Sequence, residues 1–175
     1  MENGIKKILR DKYGLFEKDI EILLEKFTKF SVPKREIILQ EGQTDHYIYF
    51  VEKGIVKSTI LREGREFIIF FALENDAPLS SPNLTESRQS LYTLEAVDTC
   101  ILWRISRKDL ATSFKDSLNL SNWGRMILQE WLTSSSFYFS SIHWMSKKEQ
   151  YQYLLKEMPK LIQRLSMRDL SAWLD

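Results

Sequence analysis

Few residues of this chain are of types that do covalent chemistry, and their spacing keeps them apart. The two histidines, His46 and His143, have no second histidine near either, whereas a metal site needs several converging ligands. His46 reads as a turn residue and His143 as a helix-surface residue, so neither a metal nor a cofactor is expected. Cys100 is the only cysteine and sits in a largely apolar setting, Asp98-Thr99-Cys100-Ile101-Leu102. That excludes an intrachain disulfide and any multi-cysteine zinc or iron–sulfur site, and it fits a reducing cytoplasm. It reads as a buried structural thiol rather than a nucleophile. Serines cluster at Ser134-Ser135-Ser136 and Ser140-Ser141, but no Gly-x-Ser-x-Gly elbow surrounds them. No catalytic set can be assembled, and an enzyme is not expected.

The elements that carry these residues belong to an ordinary globular chain. Its 175 residues are 43% hydrophobic and 28% charged, which suits one domain, or one with an appendage, and excludes disorder. The net charge of +1 gives no global field for nucleic acid or anionic membrane. Residues 1–100 carry 14 basic and 17 acidic side chains, and residues 101–175 carry 11 and 7. The mildly basic C-terminal part is compatible with a nucleic-acid appendage. The longest apolar run, Phe67 to Leu73, has seven residues, against the roughly 20 needed to span a bilayer. With no signal-peptide core at the N-terminus either, the expected location is the cytoplasm and no membrane partner is expected.

Three regions separate by periodicity. Up to about Phe30 the chain reads as helix, with Ile20, Leu23, Leu24 and Phe27 on one face and Pro33 closing the region. From Pro33 to Ile105 short strands recur with turns between them; Arg62-Glu63-Gly64-Arg65 is a hairpin loop. This pattern predicts a sandwich or barrel, without βαβ alternation. Helix then returns. Ser106-Arg107-Lys108-Asp109 is a capping sequence, and a long, weakly charged helix is expected from about Asp116 to Met145. Its row Trp123, Ile127 and Trp131, at i, i+4 and i+8, is expected to pair with a second subunit. Ser146-Lys147-Lys148-Glu149 is a capping box, and Ser166-Met167-Arg168-Asp169 another helix start. The last residues, Leu170 to Asp175, stop inside an apolar pattern and read as cut.

This order resembles the CRP/FNR family of bacterial transcription regulators. The likeness rests on Glu41-Gly42-Gln43, Tyr49-Phe50-Val51-Glu52-Lys53-Gly54, Leu94-Glu95-Ala96-Val97 and Ile105-Ser106-Arg107-Lys108-Asp109-Leu110. Lys148 to Leu155, Pro159 and Asp169 to Leu174 look like the entry to that family's winged helix-turn-helix domain. The resemblance implies an α+β chain built on a double-stranded β-helix, the jelly roll of cyclic-nucleotide-binding domains. It implies a sensor roll over residues 1–115, a dimerisation helix over 116–145, and an incomplete helix-turn-helix domain over 146–175. The implied partners are a second copy of the chain, an unidentified small-molecule effector, and DNA through a recognition helix that this chain lacks. As given, the chain is not expected to read DNA sequence. The alternative reading is a stand-alone β-roll ligand-binding or protein-interaction module without DNA binding.

The resemblance also locates a pocket, and there the chain departs from the pattern. The family binds a cyclic phosphate with a glycine turn, backbone amides and an arginine, and takes the ribose with a glutamate. The corresponding loop here, Glu74 to Leu84, has no glycine and contains Pro78 and Pro82, which remove amide donors. The glycine and glutamate positions fall on Leu79 and Ser80, and the arginine position on Ser90. Arg88, two residues away, would share a strand face with it. A degenerate pocket of Leu79, Ser80, Ser81, Arg88, Ser90 and Leu91 is therefore expected, binding neither cyclic AMP nor cyclic GMP.

Overall fold

The computed structural model describes residues 4–78, 80–81 and 83–174, which leaves Leu79 of the expected pocket outside the described residues. The apolar N-terminal spacing becomes α1 (Gly4–Lys7), continued by a π-helical turn (Ile8–Lys12), and α2 (Glu17–Leu24). Ile5, Leu9, Ile20 and Leu23 are fully buried there. Helix stops earlier than the spacing predicts, because β1 (Thr28–Val32) finds backbone partners on residues 100–104. Long-range pairing overrides local periodicity at this point.

Eight more strands follow: β2 (Ile37–Leu39), β3 (Thr44–Asp45), β4 (Tyr47–Lys53), β5 (Val56–Arg62), β6 (Arg65–Ala72), β7 (Arg88–Gln89), β8 (Thr93–Ala96) and β9 (Cys100–Ser106). They form antiparallel sheets in the orders β1-β9-β4, β2-β8-β5-β6 and β3-β7. Side chains alternate across a strand, so an apolar run such as β4 must be covered on both faces. Tyr49 and Val51 meet Val32, Val56, Leu94 and Leu102 inside the roll, while Ile48 and Phe50 meet the helices outside it. Glu63 and Gly64 take φ of 51° and 76°, the paired positive angles of a type I′ hairpin between β5 and β6. A register shift between Ser58 and Thr59 bulges β6, so Ile68 and Phe71 share the outer face despite their odd spacing.

Helix α3 (Arg107–Asp116) starts where the Ser106 hydroxyl accepts the Asp109 amide at 3.0 Å. Ser117, with φ −141° and ψ 121°, breaks the helix and caps α4 (Leu118–Ser140). A 3-10 turn (Ile142–Trp144) leads to α5 (Lys147–Glu157), α6 (Pro159–Ile162) and α7 (Met167–Leu174). The Ser146–Glu149 capping box opens α5.

The expected dimer row requires correction. Trp123, Ile127 and Trp131 are only 1%, 1% and 8% exposed, packed against the chain's own roll and N-terminal helices. Trp123 stacks on Phe50 with ring centroids 5.8 Å apart and meets Tyr13 edge-on at 6.1 Å. The outer face of β4 and β9 needs an apolar cover, and this row supplies it. The opposite side of α4 carries the exposed apolar residues, Leu118, Leu128 and Leu132 at 86%, 37% and 68%.

Helices α5–α7 dock on the outer face of the second sheet, where Leu154, Leu161 and Trp173 meet Ile55, Ile68, Phe71 and Val97. Charged contacts border this seam. Lys57, buried on β5, places Nζ 2.9 Å from Asp169, 3.0 Å from Glu66 and 3.4 Å from Glu95. Arg164 forks to Asp98 at 2.6 Å and Glu74 at 2.9 Å. Both carboxylates also accept backbone amides at the β4–β5 corner, from Ile55 and Gly54.

Candidate ligand site

The loop between β6 and β7 stands where the resemblance puts the phosphate site, and it is held from three directions. Asn75 and Asp76 exchange backbone hydrogen bonds with Val51, each 2.9 Å long. The Trp131 indole on α4 donates to the Ala77 carbonyl at 3.1 Å, and Ala77 and Leu84 belong to the helix-side core. Farther along, Ser80, Ser81 and Ser90 are each buried. The Ser80 carbonyl accepts the Leu91 amide at 3.0 Å and lies 3.3 Å from the Ser90 hydroxyl oxygen. Ser90 donates its hydroxyl to the Tyr92 carbonyl at 2.6 Å.

Beneath the loop lies a charge pair that the sequence reading did not single out. Arg107, the first residue of α3, and Asp45 of β3 are 1% and 0% exposed and form a salt bridge. Arg107 Nε donates to the Asp45 carbonyl at 3.1 Å, and Nη2 donates to the Ser80 hydroxyl at 3.2 Å. The Ser80 hydroxyl in turn donates to the Asp45 carboxylate. Asp45 Oδ1 also accepts the Tyr47 amide at 3.1 Å. A buried guanidinium beside a loop is the usual means of holding an oxyanion. Here Asp45 already occupies that role, and the three serine side chains are committed to packing or internal bonds. The signal was available in the sequence as an arginine at a helix N-terminus, where a cation is disfavoured by the helix dipole unless something compensates it.

The remaining pocket residues lie outside. Arg88 is paired with Glu86 at 2.6 Å, each side chain 63% exposed, and Leu91 is 52% exposed. The expectation that Arg88 points inward is therefore corrected. Strand β7 spans only two residues, both exposed, so Arg88 sits on an open edge. Ser80, Ser81 and Ser90 are brought together; Arg88 and Leu91 do not join them.

The other reactive types behave as their surroundings dictate. Burial pushes the Cys100 thiol up to about 11, assisted by the nearby Asp98 carboxylate, so it is protonated at neutral pH. His46 Nδ1 lies 3.0 Å from the Ser87 hydroxyl, and His143 packs between Phe139 and Trp144. Among the described residues no group of three or more metal-ligating side chains converges, and no helix is long and apolar enough to cross a membrane.

The Arg107–Asp45 pair generates a stability prediction. Arg107→Met leaves Asp45 buried and unpaired, which should cost about 3–5 kcal/mol in urea unfolding. The double variant Arg107→Met/Asp45→Leu should recover most of that loss. Equal losses in the single and double variants would show that the pair does not act as a unit.

Residues 29–117 match the sequence model of the cyclic nucleotide-binding domain. Among solved structures, FixK2 from Bradyrhizobium japonicum superposes with a TM-score of 0.74 at 22% identity, covering 85% of this chain and 77% of its own. CLP, a c-di-GMP-responsive global regulator of Xanthomonas campestris, gives a TM-score of 0.72 at 16% identity over 91% of this chain and 84% of its own. The sensor domain of the transcriptional regulator DNR from Pseudomonas aeruginosa gives 0.60 at 19% identity, over 75% and 96% respectively. No curated protein sequence matches significantly. At these identities the structural likeness establishes the fold, a roll with N-terminal helices and a long helix behind it. The sequence match spans just over half of the residues, and the chain belongs to the cyclic nucleotide-binding domain family.

Proposed function

We propose that the chain is the ligand-sensing and dimerisation part of a CRP/FNR-like, DNA-binding transcription regulator that does not respond to cyclic AMP or cyclic GMP. The observation that carries this reading is the extent of the likeness. It runs beyond the family domain at 29–117 to cover 91% of the chain in one regulator. The reading places the protein in the cytoplasm, acting without catalysis.

Dimerisation follows from the solvent side of α4. Leu118, Ser121, Arg125, Leu128, Leu132, Ser135 and Phe139 recur at alternating spacings of three and four, the seam of a left-handed helix pair. Leu118, Leu128, Leu132 and Phe139 are exposed along it. Leu128→Glu/Leu132→Glu should convert a dimer to a folded monomer in sedimentation at micromolar concentration. Burying two leucines contributes about 1.5–3 kcal/mol each, enough to shift the dimer constant by more than tenfold. A wild-type chain that sediments as a monomer would remove the claim.

The Ser80 and Ser90 hydroxyls bonded within the chain and the Arg107–Asp45 pair support the second part of the reading. Calorimetry with cyclic AMP or cyclic GMP should show no saturable heat at micromolar nucleotide. A micromolar dissociation constant for either would sink it.

DNA reading needs a second helix placed against base edges in the major groove. Residues 1–175 supply α7 as the start of such a pair. In fluorescence anisotropy at fixed salt, they should bind their own promoter weakly and without sequence preference. A polypeptide carrying the downstream residues should prefer its site by about 1,000-fold or more. Failure of the longer form to bind would favour an interaction module of the same fold.

A further inference from the structure

The solvent side of α4 carries a cation without a counter-charge. Between Ser117 and Ser146 only Arg125 and Glu130 bear formal charge. Glu130 turns to the N-terminal region, where it accepts the Tyr13 hydroxyl at 3.1 Å and pairs with Lys12 at 3.0 Å. Arg125 is exposed and stands in one row with Leu118, Leu132 and Phe139, spaced by seven. Two neutral amides tether it along the helix. Its Nε donates to the Asn122 side-chain oxygen at 2.9 Å, and Nη1 donates to that of Gln129 at 2.8 Å. No described carboxylate pairs with it. A guanidinium has five N–H donors, so three remain free.

The same spacing decides which residues meet in a helix pair. Leu118, Arg125, Leu132 and Phe139 fall at one heptad position, and Ser121, Leu128 and Ser135 at the other. An antiparallel pair sets the first group against the second, where serine holds two of the three places. A parallel pair sets each residue against its own copy and keeps leucine on leucine. It also brings Arg125 against Arg125 of the second copy, between the Ser121 and Leu128 layers. Two guanidiniums held there, partly desolvated, repel unless an anion lies between them.

We propose that the two Arg125 side chains of the dimer clasp one free divalent tetrahedral oxyanion of phosphate size, and that this anion strengthens the pairing. Three free donors from each copy can serve its oxygens, and such charge-assisted bonds are the strong ones. The site exists only in the dimer, so its occupancy shifts monomers towards dimers by mass action. The inference rests on the dimer reading of α4 and gives that interface a ligand.

The probe is inorganic phosphate, compared with chloride at matched ionic strength in sedimentation of the full chain. At about 10 mM phosphate, a site of about 1 mM affinity makes the dimer dissociation constant about tenfold smaller. Arg125→Leu should pair more tightly than the wild type in chloride, because the repulsion is gone, and should lose the response to phosphate. A general salting effect would persist in that variant. Arg125→Lys keeps the charge without the fork and should respond less than the wild type. AMP carries the same dianion on a bulky nucleoside and should tighten the dimer less than phosphate, because the Leu128 layer closes the space. Equal dissociation constants in phosphate and chloride, a phosphate response that survives in Arg125→Leu, or AMP acting as strongly as phosphate would overturn the proposal. If Arg125→Leu aggregates, the Arg125→Lys and AMP comparisons decide it. A dimer indifferent to phosphate would leave the dimer reading standing, whereas a chain monomeric in every buffer would sink both.

Discussion

Stacking of the Trp123 indole on Phe50 sets the rotation of α4, and most of the molecule follows from that rotation. With Trp123 turned inward, Leu120, Ile127 and Trp131 also face the roll, and Gly124 lets the Phe114 ring lie where a side chain would stand. A Cβ at Gly124 would lie 2.6 Å from that ring. The same rotation brings the Trp131 indole N–H over the Ala77 carbonyl, fixing the start of the β6–β7 loop, and turns the leucine row to solvent. Core packing, loop geometry and the surface offered to a second subunit are thus three aspects of one helix orientation.

The closed loop is a second consequence of internal pairing. A guanidinium beside a loop is the chemistry of an anion site, and Arg107 at the start of α3 supplies one. Its partner is a carboxylate of the same chain. The Asp45–Arg107–Ser80 cluster joins β3, the loop and α3, so the residues nearest the expected phosphate position now hold structure together. The family's fold is kept while the charged groups described at this loop bond to one another.

Local signals carried much of this. The capping serines at 106 and 146, the Glu63-Gly64 turn and the alternation of strands are decided by neighbours within a few residues, and they read correctly. The resemblance supplied the order of elements and the departure at the loop. What the sequence did not disclose depended on distant partners. Residues 28–30 look helical until β9 is present to pair with them. The Trp123 row looks like an interface because a helix with two apolar faces does not announce which face meets the chain's own sheet. Arg88 seemed able to reach inward because strand parity was counted through a β7 that spans only two residues. The Arg107–Asp45 pair, separated by 62 positions, left no periodic trace.

Charges cross the docking seam in both directions. Arg164 and Lys57 hold α5–α7 to carboxylates that lie on both sides of the boundary. Burial alone would raise Glu74 and Asp169. Backbone amides and Arg164 hold Glu74 below its ordinary value, and the Ser166 hydroxyl with Lys57 does the same for Asp169. A carboxyl whose pKa is depressed on folding stabilises the folded form above its unfolded pKa, and that contribution disappears as pH falls through the folded value. The seam is therefore proton-linked on both sides of neutrality. The carboxyl contribution is lost in acid with uptake of protons, and Lys57, which burial would lower but Asp169 and Glu66 hold above its ordinary value, loses its contribution in base.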